Sequence, residues 1–162
     1  MNKIGLFLFA LVMGSQNVWA ATAQGTGTIS AQIVSALSVD ESKMLNFGTM
    51  TGEAGVISVN TSGTRSSTTG NLVEDTSNSP SEGEMLIYGP LNQVVYIGTI
   101  SDTVITSGIN SMNVTNFQTD HSGSMTLTSN NGNPVKIGAQ LTVSDGQASG
   151  NYTGSYTLTV TY

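Results

Sequence analysis

The chain ends in Tyr152-Thr-Gly-Ser-Tyr-Thr-Leu-Thr-Val-Thr-Tyr162, a stretch in which large apolar and small polar side chains alternate. Successive side chains of a β-strand point to opposite faces of its sheet. The alternation therefore places one set of side chains on a common face: Tyr152, Tyr156, Leu158, Val160 and Tyr162. The serine and threonines between them take the other face. We predict a strand that is integral to a sheet up to the last residue.

Strand patterns recur upstream of this stretch, separated by clusters of Gly, Asn, Asp and Ser that favour turns. We predict further strands at Thr28–Val39, Met44–Met50, Gly55–Asn60, Gly83–Tyr88, Gln93–Ile100, Met112–Phe117, Gly123–Thr128 and Val135–Val143. No window carries the sustained apolar repeat of an amphipathic helix. Short strands at this spacing predict one all-β domain, either a sandwich or a barrel. We interpret the polar stretch Thr61–Glu84 as a long surface loop.

The composition excludes several classes of function. The 162 residues include ten acidic and four basic side chains, for a net charge of −6. Binding to nucleic acid needs clustered Lys and Arg to neutralise phosphates, so we expect no nucleic-acid partner. The chain has no cysteine, which excludes disulfides, zinc–thiolate sites and thiol chemistry.

Residues 1–20 have the pattern of a secretory signal peptide. Lys3 gives a positive start, Ile4–Met13 form a short apolar run, and Val18-Trp-Ala20 fits a small-residue cleavage site. The apolar run is too short to cross a bilayer as a helix, which takes about 20 residues. We therefore predict a mature chain that starts at Ala21, is exported and has no transmembrane segment.

The stretch that precedes residue 40 contains two strand patterns. Ile29, Ala31 and Ile33 share one face of the first pattern. The alternation breaks at Val34, and a second pattern follows from Leu37. Because the register of a strand decides which side chains reach the core, two segments with different partners would account for the break.

Candidate catalytic residues are few. His121, the single histidine, lies between Asp120 and Ser122, but sequence neighbours do not place a base against a nucleophile in the geometry of a triad. Glu82 and Glu84 fall in the polar stretch, where no water-poor pocket is expected around them. The sequence carries no Gly-rich phosphate loop, no calcium loop and no HExxH or GxSxG motif. We expect no catalytic residue, no metal site and no cofactor.

Two groups of motifs carry a family resemblance. The first is Met44-Leu-Asn-Phe-Gly-Thr-Met50, followed by Val59-Asn-Thr-Ser-Gly-Thr-Arg65. The second is the stretch Leu141–Tyr162, with Gly146-Gln147 and the Gly-x-Tyr-x-Gly pattern before the alternating end. Together they resemble a family of uncharacterised secreted bacterial β-sandwich domains, over nearly all of the mature chain.

That family in turn resembles the fimbrial (pilin) subunits that are assembled by the chaperone–usher route. Such subunits are immunoglobulin-like antiparallel β-sandwiches that lack one strand, and the N-terminal extension of a neighbouring subunit completes them. The resemblance implies an extension at residues 21–34 and a pilin-type domain at 35–162. Many of these subunits have a cysteine in the first strand, where this chain has Ala36 or a neighbour of it.

The resemblance also implies partners, site residues and a location. Ile29, Ala31 and Ile33 would form the face of a donor strand. The groove edge, or the strand held by a chaperone, would consist of Tyr156, Leu158, Val160 and Tyr162. The implied partners are other copies or related fibre subunits, a periplasmic assembly chaperone and an outer-membrane usher. The protein would pass through the periplasm to a cell-surface fimbria or the extracellular space.

Two other functions stay open at this point. A self-contained sandwich could bind a ligand such as a carbohydrate through loops such as Thr61–Glu84, with Thr28–Ile33 paired inside its own domain. A hydrolase would have to rely on His121 and the carboxylates.

Overall fold

The computed structural model describes residues 21–33, 36–70, 74–75, 78–121 and 123–162. The chain divides into two units, Met1–Gln32 and Ile33–Tyr162. In the first unit, residues 21–32 form neither helix nor strand, and their side chains are exposed. The signal peptide predicted at 1–20 lies outside the described residues.

The regular structure of the second unit consists of short strands. They are β1 (Ser38–Lys43), β2 (Thr49–Met50), β3 (Gly55–Val59), β4 (Arg65–Gly70), β5 (Glu74–Asp75), β6 (Gly83–Tyr88), β7 (Val94–Ile97), β8 (Thr103–Ser107), β9 (Asn110–Thr119), β10 (Ser124–Thr126), β11 (Asn133–Val143) and β12 (Val160–Thr161). The described residues contain no helix, and so none that is long and apolar enough to span a membrane.

The long strand β11 organises the main sheet because both of its edges are paired. On one edge, β6 pairs with Asn133–Ile137 and β3 with Ala139–Val143. On the other edge, β9 pairs along Ile137–Thr142. Gly138 lies at the change from β6 to β3, where a Cβ would lie 2.5 Å from the carbonyl oxygen of Val59. The sheet continues through β1 beside β6, β4 beside β3 and β8 beside β9.

Two smaller sheets complete the fold, in the orders β10-β7-β12 and β2-β5, and every strand pairing is antiparallel. The core consists of two clusters of buried side chains. The first cluster is Phe47, Ile57, Val59, Val114, Ala139, Leu141 and Val143. The second cluster is Ile87, Val95, Ile97, Leu127, Val135, Ile137 and Leu158. The all-β, antiparallel sandwich predicted from the sequence is confirmed.

Most predicted strands coincide with observed ones. The prediction at Gly83–Tyr88 matches β6, and those at Gly55–Asn60 and Val135–Val143 match β3 and β11 to within two residues. The remaining central predictions overlap β7, β9 and β10. These strands have one buried face, so their alternating pattern is visible in the sequence.

The interpretation of Thr61–Glu84 as one long loop is wrong, because β4 and β5 lie within it. A tight turn begins at Asn60, whose side-chain Oδ1 accepts hydrogen bonds from the main-chain N–H groups of Ser62 and Thr64, at 3.0 and 2.9 Å. Gly63 has a φ of +75° in this turn. The β4 strand that follows lies at the end of the sheet, and the described side chains from 66 to 70 are exposed. It therefore shows no alternation in the sequence.

Three other boundaries differ from the predictions. The strand predicted at Thr28–Val39 begins only at Ser38, and residues 28–33 lie in no strand. In Met44–Met50 only β2 and an isolated bridge at Asn46 are regular. The predicted C-terminal strand is reduced to β12 and a bridge at Thr153. Its facing pattern is nevertheless as predicted at Leu158, which is buried between exposed threonines.

Candidate functional site

A groove of about 740 Å³ opens onto the first core cluster. Met44–Gly52 form its first wall, and Gln147–Tyr156 form its second wall. The floor is mostly apolar and consists of Met85, Thr103, Ile105, Met112, Val114, Phe117, Leu141 and Val143. Among the described residues that line the groove, Glu41 is the one charged side chain. The groove therefore offers an apolar surface between two extended segments.

The outer edge of the first wall is held by hydrogen bonds to the chain that leads into β6. The main chains of Asn46 and Ser81 exchange two hydrogen bonds, of 2.9 and 2.8 Å. The hydroxyl of Ser81 donates to the carbonyl oxygen of Met44 at 2.9 Å. Further along the wall, β2 pairs with β5. These contacts join the first wall to the chain that leads into β6 and to β5.

Arg65 fixes the middle of the first wall. Its Nη1 donates to the carbonyl oxygens of Phe47 and Thr49, at 3.0 and 3.2 Å. Gly48 lies between them with a φ of +79°, and a Cβ there would lie 2.5 Å from that Nη1. The N–H of Gly48 donates to the side-chain Oδ1 of Asn46 at 2.9 Å. The two halves of the first sequence motif thus meet at this wall.

A half-exposed ion pair lies where β1 leads into the first wall. Lys43 Nζ is 3.0 Å from Glu82 Oε1, and Glu82 is 9% exposed. The hydrogen bond from Lys43 lowers the pKa of Glu82 below its usual value of about 4.5. A Cβ at Gly63 would collide with the Glu82 carboxylate, so the turn glycine leaves room for the pair.

The second wall begins at Gln147, which closes one end of the groove. Its main-chain N–H donates to the carbonyl oxygen of Gly52 at 3.1 Å, so the two walls meet there. Its side-chain Nε2 donates to the hydroxyl of Tyr152 at 2.8 Å. That hydroxyl donates in turn to the carbonyl oxygen of Ala148 at 2.7 Å. The Gln and Tyr of the second sequence motif therefore set the course of this wall.

The second wall pairs with β8 on its outer edge and leaves its inner edge unpaired. The main chains of Thr153 and Thr106 exchange two hydrogen bonds, of 3.0 and 2.8 Å. In an extended chain, alternate residues direct their main-chain groups to opposite edges, so Gly154 and Tyr156 direct theirs toward the groove. Within the described part of the chain, the main-chain N–H and C=O groups of these two residues have no hydrogen-bond partner. Such an edge is a template for another strand.

Tyr156 and Phe117 lie at the end of the groove away from Gln147, with ring centroids 5.4 Å apart. The Tyr156 hydroxyl is buried and has no hydrogen-bond partner among the described residues. Burial raises the pKa of Tyr156 to about 12, and the nearby carboxylate of Glu41 adds to the shift.

The residues proposed from the sequence are distributed over several environments. Ile29 and Ile33 are 100% and 96% exposed, and Ala31 is exposed as well. Of the four C-terminal candidates, Tyr156 lines the groove. Leu158 is buried in the second core cluster and Val160 packs against it, whereas Tyr162 is 51% exposed.

Sequence reasoning missed the first wall as a site, although the motif Met44–Met50 marked it. The conformation of Gly48 and the carbonyl contacts of Arg65 explain that motif, but the groove itself forms only when distant segments come together. The floor residues could not be identified from the sequence either. They are inward-facing apolar residues of ordinary strands, and the sequence does not show that their cluster borders a groove.

His121 lies apart from the groove lining. Its Nδ1 is 2.9 Å from Asp120 Oδ1, and Asp120 Oδ1 also accepts from the main-chain N–H of Lys136 at 2.8 Å. Ser122 lies outside the described residues. The described residues contain no group of three or more His, Cys, Asp or Glu side chains that could hold a metal ion.

Comparisons with known proteins give one match. A family model described as a domain of unknown function, DUF4402, matches residues 37–162. No curated protein and no solved structure matches the chain.

We expect Arg65→Met to loosen the first wall. The substitution removes two charge-assisted hydrogen bonds, each worth about 1.5–3 kcal/mol, from the carbonyls of Phe47 and Thr49. Amide hydrogen exchange in Met44–Met50 should accelerate at least tenfold relative to wild type. Lys136→Met, which removes one positive charge elsewhere, is the matched control. Equal exchange in the two variants would show that Arg65 does not hold the wall.

We expect the Lys43–Glu82 pair to make stability depend on pH. Because the folded-state pKa of Glu82 lies below its unfolded value, the contribution is present above about pH 4.5 and is lost as pH falls through the folded-state pKa. Melting temperatures between pH 7 and pH 3 should fall less steeply for Glu82→Gln than for wild type. Parallel curves would rule out this linkage.

Proposed function

Because the chain belongs to this family of domains of unknown function, we propose its function from the groove. The protein is a structural subunit of a bacterial surface fimbria or fibre. It polymerises by adding its N-terminal segment as a strand to the groove of the next subunit. The observation that carries the proposal is an apolar groove whose second wall presents unpaired main-chain groups along its inner edge.

The segment Thr26–Ile33, here named the donor segment, has the properties that such a groove requires. It contains no charged residue, and Ile29, Ala31 and Ile33 recur at the two-residue spacing of one strand face. Both isoleucine side chains are almost completely exposed. In strand addition, main-chain hydrogen bonds supply affinity and pockets for alternate side chains supply specificity.

Burial of the donor face would stabilise the contact between two subunits. Transfer of two isoleucines and an alanine from water contributes roughly 5 kcal/mol, against the cost of ordering the donor segment. The main-chain ladder adds a kinetic effect, because withdrawing a strand from the sandwich breaks its hydrogen bonds together. Fibres held this way dissociate slowly even where the equilibrium stabilisation is modest.

An unfilled groove also calls for assembly factors. An exposed apolar cavity with an unpaired edge is an aggregation hazard until another strand covers it. The proposal therefore includes export through the periplasm, a periplasmic chaperone that covers the groove, and an outer-membrane usher that exchanges the chaperone for the next subunit. These partners rest on the resemblance to fimbrial subunits.

A free donor peptide tests the proposal. The recipient is the chain Ala21–Tyr162 with Ile29→Thr and Ile33→Thr, which keeps the groove but lacks a competent donor face. A peptide of sequence Thr26–Ile33 should raise its melting temperature by roughly 10–20 °C, since about 5 kcal/mol corresponds to a few degrees per kcal/mol in a domain of this size. The same peptide with both isoleucines replaced by threonine is the control. No shift, or an equal shift with both peptides, would refute the proposal.

Two matched variants of the recipient test whether the peptide binds in the groove. Met44 is 66% exposed and lines the groove, whereas Ile109 is fully exposed and lies outside the groove lining. Met44→Asp in the recipient should reduce the peptide-induced shift, and Ile109→Asp should leave it unchanged. Both side chains are exposed, so neither substitution should prevent folding.

A further inference from the structure

We propose that Asn131, in the turn between β10 and β11, is a site of spontaneous deamidation, which converts its side-chain amide to a carboxylate without an enzyme. The reaction requires an asparagine with a free side-chain amide, followed by a residue whose main-chain nitrogen can reach that amide. The chain contains one Asn-Gly pair, Asn131-Gly132. The proposal is independent of the proposed function, because this turn lies outside the groove lining.

The amide of Asn131 is accessible and unpaired. Its side chain is exposed at the tip of the turn. Its main-chain N–H donates to the hydroxyl of Ser129 at 3.1 Å, whereas its side-chain amide has no hydrogen-bond partner among the described residues. No contact of this kind has to be broken before the amide carbon is attacked.

The attacking atom is the main-chain nitrogen of Gly132. Its N–H group has no hydrogen-bond partner in the described part of the chain. Glycine has no Cβ, so no side chain obstructs the approach of this nitrogen to the amide carbon of Asn131.

The turn also requires glycine at position 132. Gly132 has a φ of +97°, and a Cβ there would lie 3.1 Å from the Cβ of Leu86 and 3.2 Å from the ring of Tyr88. Other residues are strained in this conformation. The glycine that makes Asn131 reactive is therefore part of the fold.

The reaction balances without a cofactor. The nitrogen of Gly132 attacks the Cγ of Asn131 and loses its proton, a C–N bond forms, and the side-chain nitrogen leaves as ammonia. Water then opens the resulting cyclic imide at either of its carbonyl carbons, which gives aspartate or isoaspartate. The net reaction consumes water and releases ammonia, and no atom changes its oxidation state.

Asn133, two residues later, is protected from the same reaction. It is 3% exposed, and its Oδ1 accepts hydrogen bonds from the main-chain N–H groups of Thr128 and Ser129, at 2.8 and 3.1 Å. Its Nδ2 donates to the carbonyl oxygen of Ile87 at 3.1 Å. The next residue, Pro134, has no main-chain N–H that could lose a proton to form the imide.

These contacts of Asn133 also limit the effect of the modification on the fold. They hold the base of the turn to β6, whereas Asn131 lies at its exposed tip. The added carboxylate lies in water, and isoaspartate lengthens only the tip of the turn. The modification therefore marks older copies of the protein with one additional negative charge while the domain remains folded.

Incubation of the folded chain Ala21–Tyr162 at pH 8 and 37 °C tests the proposal. Mass spectrometry should show a gain of about 1 Da per chain over days, since OH replaces NH₂, and peptide mapping should place it at Asn131. Asn131→Ser should abolish the gain. Asn130→Ser, which removes the neighbouring exposed asparagine, is the matched control and should react as wild type does.

The same incubation in guanidinium chloride measures the reaction of the unfolded chain. We expect the folded rate at Asn131 to lie within tenfold of the denatured rate. A folded rate more than tenfold lower would show that the turn protects Asn131, and would overturn the proposal. A mass gain that persists undiminished in Asn131→Ser would overturn it as well, because the reactive residue would then lie elsewhere.

Discussion

The structure depends on the requirement that main-chain hydrogen-bonding groups find partners. Both walls of the groove meet this requirement in part, through Ser81 and Arg65 for the first wall and Thr106 for the second. The inner edge of the second wall leaves Gly154 and Tyr156 without partners among the described residues. The sandwich is closed around its second core cluster and open beside its first. The floor between the two walls is mostly apolar.

The walls of the groove explain the residues of the two family motifs. Asn46, Gly48 and Arg65 shape one wall, and Gln147 with Tyr152 shapes the other. Most of these side chains make hydrogen bonds to main-chain atoms, which fixes the course of each segment. That arrangement supports the proposed function of a subunit that is completed by its neighbour.

The sequence predicted the fold class and several strands because half-buried strands alternate visibly, as in Gly83–Tyr88. It did not predict β4, whose described side chains are mostly exposed and give no pattern. The C-terminal alternation placed Leu158 in the core. Alternation shows which face of a sheet a side chain takes, but it does not show which strands pair with the two edges. The departure of the C-terminal segment from the ladder, and hence the groove, could not be predicted. The groove arises from the meeting of Met44–Gly52 with Gln147–Tyr156, segments that are about a hundred residues apart.

The most direct measurement is residue-resolved amide hydrogen exchange at Gly154 and Tyr156, first in the monomer and then in the polymer. The account predicts fast exchange in the monomer, because these N–H groups have no partner there. It predicts slowing by several orders of magnitude in the polymer, where an added strand accepts their hydrogen bonds. Equal exchange in the two states, or strong protection in the dilute monomer, would contradict the central claim that a second copy completes the sheet.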